Sequence, residues 1–112
     1  MKKSSIAIGQ MFVHFDKAYM EFPKVWVKVE NRTLGNHYGE DNEEVSLFVD
    51  NNALVKTAIN PNYKPELTEK WNITDRYYKE MTRQGIFVPF NDLREVGDIT
   101  KQLGCPDYVL DF

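Results

Sequence analysis

The stretch "KVWVKVE", residues 24–30, has valine at every second position. This period of two is the spacing that a β-strand with one buried face requires. We therefore predict a strand here, with its three valines facing the core and Trp26 on the opposite face, between Lys24 and Lys28. The segments that flank this strand predict the other elements of the fold.

The segments on either side of this strand predict an antiparallel sheet. Residues 4–15 are rich in strand-forming side chains and contain Gly9, which predicts a second strand with a bend near the glycine. The stretches 45–49 ("VSLFV") and 53–59 ("ALVKTAI") are separated by the polar turn "DNN" and predict two further strands. A four-stranded meander is the simplest arrangement of these segments.

An apolar stripe at helical spacing follows in the second half of the chain. It predicts a helix that begins near Pro65 and ends before Gly85, since proline suits a helix start and glycine a helix end. The stripe consists of Leu67, Trp71, Thr74, Tyr78 and Met81.

The remaining segments add a short strand and a second helix. Residues 85–90 are apolar, and Pro89 restricts such a strand to an edge. Asn91 is predicted to cap a helix that Gly104 terminates. Its predicted core-facing residues are Leu93, Val96, Ile99 or Thr100, and Leu103. The predicted class is α+β: a mostly antiparallel sheet of about four to five strands with two helices packed on one face.

Size and cysteine content limit what this chain can be. At 112 residues it has the usual length of one domain, so residues 1–112 are expected to form a single domain. Its one cysteine, Cys105, excludes an internal disulfide and a paired-cysteine metal or redox site. No apolar run approaches the ~20 residues of a membrane-spanning helix. We expect a soluble, cytoplasmic protein without a bound metal or cofactor.

Charge is distributed unevenly along the chain. Residues 1–36 hold six basic and three acidic side chains, whereas residues 37–112 hold eight basic and fourteen acidic ones. A protein that depends on phosphate contacts usually shows a basic domain or stripe, so nucleic acid is not expected to be the main partner. Glycine, asparagine and acidic residues dominate 31–44, which predicts an acidic surface loop.

This acidic loop supports the first functional prediction, a non-catalytic protein-binding module. It would occupy a basic or nucleic-acid-binding surface of a larger protein partner, as an inhibitor or accessory factor does. Its small size and acidity are also typical of proteins that bacteriophages encode against host machinery. The predicted partner-binding residues are Glu40, Asp41, Glu43, Glu44, Trp26, Tyr108 and Phe112.

Two alternative functions remain open from the sequence. A small hydrolase or nuclease could use His14 as a base oriented by Asp16, because strand geometry places both on one face. His37 lies in the acidic loop, whose spacing does not match a calcium-binding loop. The other alternative is nucleic-acid binding through Lys24, Trp26 and Lys28 on an exposed sheet face.

Residues 98–112, "DITKQLGCPDYVLDF", resemble the centre of a helix-turn-helix DNA-binding unit. In that family the second helix enters the major groove and carries the residues that read bases. Here it would consist of "DYVLDF", which contains two aspartates and no lysine or arginine. Negative charge facing phosphate opposes DNA binding. We therefore predict that 107–112 is a terminal strand, or that it offers Tyr108 and Phe112 to a partner.

Overall fold

Five strands, three α-helices and a short 3₁₀ turn make up the described part of the chain. The computed structural model describes residues 6–35, 41–60 and 62–104, with the backbone alone at 33–35, 41–44 and 58. The elements are β1 Met11–His14, β2 Lys24–Gly35, β3 Asp41–Asp50, α1 Ala53–Ile59, β4 Glu69–Thr74, α2 Asp75–Arg83, β5 Phe87–Phe90, the 3₁₀ turn Leu93–Glu95 and α3 Val96–Gln102.

The strands form one antiparallel sheet in the order β4-β3-β2-β1-β5. The predicted pair of β1 and β2 is confirmed, with Phe12 opposite Trp26, and β3 lies on the other side of β2. The predicted bend near Gly9 is also present, since this glycine has a φ of +88°. A bulge between Lys28 and Glu30 shifts the register of β2 against β3.

Both faces of the sheet are covered by other parts of the chain. Neighbouring residues of a strand point to opposite faces, and in the inner strands both neighbours are buried. Phe12 and Val13, neighbours in β1, are both fully buried. We call one side the aromatic face; its core consists of Ile6, Phe12, Trp26, Val45, Leu47, Val49, Ile73, Tyr78 and Phe87. The other is the aliphatic face; its core consists of Val13, Val25, Ala53, Leu54, Phe90, Leu93, Val96 and Ile99.

The helices divide between these two faces. α1 and α3 pack on the aliphatic face through Leu54 and Val96, while α2 packs on the aromatic face through Tyr78. The predicted α+β class, with a mostly antiparallel sheet and two helices sharing one face, is confirmed. The two helices that share a face are α1 and α3. The helices predicted from the sequence correspond to α2 and α3, and these two lie on opposite faces.

The prediction of a strand at 53–59 is wrong, because this segment is helix α1. Ala53, Leu54 and Thr57 are buried, which is helical spacing, while Ile59 is exposed. Alanine favours helix strongly, and burial of its neighbours against α3 outweighs the strand preference of Val55. The chain therefore leaves the sheet after β3 instead of returning along it.

The helix predicted to begin near Pro65 and end before Gly85 is half wrong, because residues Glu69–Thr74 form strand β4. Trp71 and Ile73 face the aromatic core from β4 with a period of two, while Leu67 is exposed. α2 begins only after Thr74, whose side chain accepts a hydrogen bond from the Tyr77 amide at 3.1 Å. The apolar stripe predicted from the sequence therefore combines core-facing residues of strand β4 with core-facing residues of helix α2.

The C-terminal half otherwise agrees with expectation. β5 is an edge strand containing Pro89, and Gly85 ends α2 with a φ of +78°. The cap of the last helical segment is Asp92 and not Asn91, since Asp92 accepts a hydrogen bond from the Arg94 amide at 3.0 Å. None of the helices in the described ranges has the length and apolar character needed to cross a bilayer. The predicted conformation of 107–112 lies outside the described residues.

Candidate functional site

A two-stranded arm extends from the sheet where an acidic loop was predicted. β2 runs to Gly35 and β3 starts at Asp41, and these two residues lie opposite each other. β1 pairs with β2 only up to Val27, and β4 pairs with β3 only from Glu44 onward. The prediction of a loop throughout 31–44 is therefore wrong, because backbone pairing between β2 and β3 outweighs a composition that disfavours strands. We call the paired strand ends 30–35 and 41–44, together with the sequence that joins them, the acidic arm.

The base of the acidic arm is fixed to the neighbouring strand β4. Glu30 pairs with Lys70 at 3.0 Å, and Ser46 donates a hydrogen bond to Asn72 at 2.6 Å. The hydrogen bond and charge of Lys70 lower the pKa of Glu30, so this carboxylate stays ionised. The arm therefore begins at a strand position that contacts with β3 and β4 hold on one side.

The predicted acidic residues fall within or beside this arm. Asp41, Glu43 and Glu44 lie on β3, with Glu44 opposite Arg32 in the register. Glu40 lies outside the described residues. His37 is outside them too, as are the predicted aromatic contacts Tyr108 and Phe112.

Trp26 does not offer its indole to a partner, which corrects the prediction of an exposed aromatic. Its side chain is 3% exposed and lies in the aromatic core, because Trp71 and α2 cover that face. Lys28 is also buried, at 1% exposure, and donates a hydrogen bond to the Ile6 carbonyl. An exposed Lys24, Trp26 and Lys28 surface for nucleic acid is therefore absent from this face.

His14 is held inside a group of aromatic rings. Its Nδ1 accepts a hydrogen bond from Trp26 Nε1 at 3.0 Å, and its ring lies 4.6 Å from that of Phe87 and 5.4 Å from that of Trp71. Burial lowers the pKa of His14 to about 4, opposed by Asp16 and assisted by Lys24. His14 is therefore neutral at pH 7, with its proton on Nε2.

This arrangement favours a structural role for His14. A general base needs a free basic nitrogen, and Nδ1 is already occupied by Trp26. The Asp16 carboxylate serves a different purpose, since its Oδ1 accepts a hydrogen bond from the Ala18 amide at 3.0 Å. The Asp16 carbonyl accepts two more, from the amides of Tyr19 and Met20. Asp16 thereby orders the connection between β1 and β2.

That connection exposes two aromatic residues that the sequence prediction did not select. Tyr19 is 89% exposed and Phe22 is 46% exposed, although the turn that carries Tyr19 is hydrogen-bonded. They line a shallow groove of about 430 Å³ together with Pro23 and Asn51. The available signal was the stretch "AYMEFP", which is unusually apolar for a surface connection.

A second polar network closes the opposite end of β3. Asp50 is buried and accepts hydrogen bonds from the hydroxyl of Tyr63 and from the amides of Asn52 and Glu66. Burial alone would raise the pKa of Asp50, but these hydrogen bonds together lower it. Lys56 donates to the Tyr63 hydroxyl at 3.1 Å. The network attaches the segment before β4 to α1 and β3, which is a structural role.

The described residues include no group of three or more His, Cys, Asp or Glu side chains that could hold a metal ion. Two candidate binding surfaces remain: the acidic arm, and the connection between β1 and β2 that exposes Tyr19 and Phe22. Comparison of the chain with protein-family models, curated proteins and solved structures finds no match. Function is consequently inferred from the geometry of the chain itself.

Proposed function

We propose that this protein is a non-catalytic binding module whose acidic arm binds a basic surface of a larger protein partner. The observation that carries the proposal is the register of β2 and β3, in which Gly35 lies opposite Asp41 beyond the last pairs made by β1 and β4. An extended arm can enter a groove on a partner more deeply than a flat sheet face can.

The charge of the arm supports a basic partner. Residues 30–44 contain five carboxylates and a single arginine. A surface with one predominant sign attracts the opposite sign from a distance and accelerates association. Occupying a basic surface that otherwise binds nucleic acid would make the protein an inhibitor, and occupying a docking surface would make it an accessory factor.

The hydrogen bond and the lowered pKa of His14 argue against the enzymatic alternative. A neutral imidazole whose Nδ1 accepts from Trp26 serves the aromatic core. Among the described side chains, β2 and β3 contribute Trp26, Val45, Leu47 and Val49 to that core, and these four lie outside the arm or at its base. A surface element that extends beyond the body of the sheet is a natural location for a binding function.

The proposal is tested by neutralising the arm. A variant with Glu40→Gln, Asp41→Asn, Glu43→Gln and Glu44→Gln is used to purify partners from the native cell, beside the unaltered protein. The matched control carries Glu21→Gln, Glu66→Gln, Glu95→Gln and Asp98→Asn, four exposed acidic residues outside the arm.

We expect the arm variant to recover at least tenfold less of the co-purifying partner, and the control to recover the normal amount. Binding of the identified partner should also weaken as salt rises, since exposed charges are screened. Equal losses in both variants would mean that net charge matters and the arm does not. Unchanged recovery by the arm variant would contradict the proposal.

A further inference from the structure

Among the residues that the structure describes, no strand pairs with the edge of the acidic arm that faces away from β3. Between described residues, the backbone hydrogen bonds on this side of β2 extend to Lys28, which bonds Gly9 and Gln10. Within the described ranges, Asn31–Gly35 has no neighbouring strand on that side. A strand paired on one side only directs the N–H and C=O of every second residue outward. Such a row of groups is a template for another strand.

The two outer edges of the sheet are protected in ways that this edge is not. In β5, Pro89 lies opposite Phe12 and supplies no N–H for a further strand. In β4, Glu69 and Lys70 form ion pairs with Lys24 and Glu30, and charged side chains of this kind discourage added strands. Asn31–Gly35 contains no proline and a single charged residue, Arg32.

Charge decides which strand can pair there. A second copy of this chain would bring its own five carboxylates of residues 30–44 against the same five. Like charges placed face to face oppose such pairing. An extended segment rich in lysine and arginine would instead be attracted to the arm before any backbone hydrogen bond forms.

We propose that the partner binds by adding an extended basic segment as a new strand along Asn31–Gly35. This inference rests on the proposed function and specifies how the arm holds its partner. Backbone hydrogen bonds would supply affinity, and the carboxylates of the arm would select for basic side chains.

The test uses the full chain and two synthetic peptides of identical charge. The first is a seven-residue peptide of alternating L-lysine and L-valine. The second has D-valine at each valine position, which prevents a regular strand because side-chain chirality sets the allowed backbone. Affinity and amide hydrogen exchange are measured for both at low salt.

We expect the all-L peptide to bind at least tenfold more tightly and to slow exchange at alternate amides of 31–35. Equal binding without slowed exchange would overturn strand addition and leave the electrostatic proposal standing. No binding of either peptide at low salt would contradict both proposals. Slowed exchange at Phe87–Phe90 or Glu69–Thr74 would show that another edge is the one used. Concentration-dependent dimers that slow the 31–35 amides would assign the edge to a second copy.

Discussion

The body of the sheet and the acidic arm are built from the same two strands but held by different forces. In the body, Trp26 and Val49 lie opposite each other and are both buried, so side-chain packing stabilises the pairing. In the arm, Asn31 and Arg32 are exposed, and pairing with β3 is the interaction that the structure describes. One strand can therefore be buried at one end and exposed at the other, and the proposed binding function belongs to the exposed end.

The largest expected effect comes from the body. Phe12 is fully buried and contacts the rings of Tyr78 and Phe87 at centroid distances of 5.4 and 4.8 Å. Phe12→Ala should lower the free energy of unfolding by about 3–5 kcal/mol, because it leaves a cavity between β1 and α2. Urea denaturation measures this loss, and a loss below about 1 kcal/mol would mean that the aromatic face can collapse around the site.

A smaller effect is expected from acidification of the body. The folded pKa of His14 is about 4, whereas an unfolded histidine titrates near 6.5. The unfolded state therefore binds more protons in between, and stability present above pH 6.5 is lost as the pH falls towards 4. The charged groups that act on His14 are Asp16, two residues further along the chain, and Lys24 on β2.

Urea denaturation at pH 7 and pH 5 measures this acid sensitivity. After allowance for partial solvent exposure, we expect a loss on the order of 1 kcal/mol. His14→Phe should reduce the loss, since it removes the titrating group, and His37→Phe serves as the control on the other histidine. Carboxylates contribute mainly below this window. Equal acid sensitivity of His14→Phe and the unaltered protein would contradict the assignment.

The smallest expected effect comes from the arm. Arg32 is exposed, so Arg32→Ala should change the free energy of unfolding by no more than about 0.5 kcal/mol. The same urea titration used for Phe12→Ala makes the two values directly comparable. A loss as large as that of Phe12→Ala would show that the arm is part of the cooperative core, and the contrast between the two regions would fail.

The sequence predicted the body where local pattern and tertiary burial agree. The alternating valines of 24–30 predict β2 because only the strand period of two fits this segment. The prediction holds even though side chains on both faces of β2 are buried. The segment 53–59 failed because "ALVKTAI" satisfies either period, and contacts with α3 decide between them. Trp71 and Tyr78 were placed on one helix because a strand followed at once by a helix can imitate a longer stripe.

The candidate site was predictable in composition and not in shape. The density of acidic residues near Glu43 is visible in the sequence, but the pairing of Gly35 with Asp41 depends on the register between distant segments. Burial of Trp26 was equally hidden, since it requires α2 to cover the face opposite the valines. Exposure of Tyr19 follows from a turn that Asp16 orders, and no periodic pattern reveals that.

The aromatic face also determines which events the intrinsic tryptophan signal of this protein reports. Both tryptophans of the chain, Trp26 and Trp71, lie there with ring centroids 5.2 Å apart. Tryptophan fluorescence therefore describes the body, where the two indoles lie beside His14. The arm contains no tryptophan, so its encounters will be nearly silent in this signal. A fluorophore attached to the arm would report binding at the arm, whereas the two tryptophans would report only unfolding.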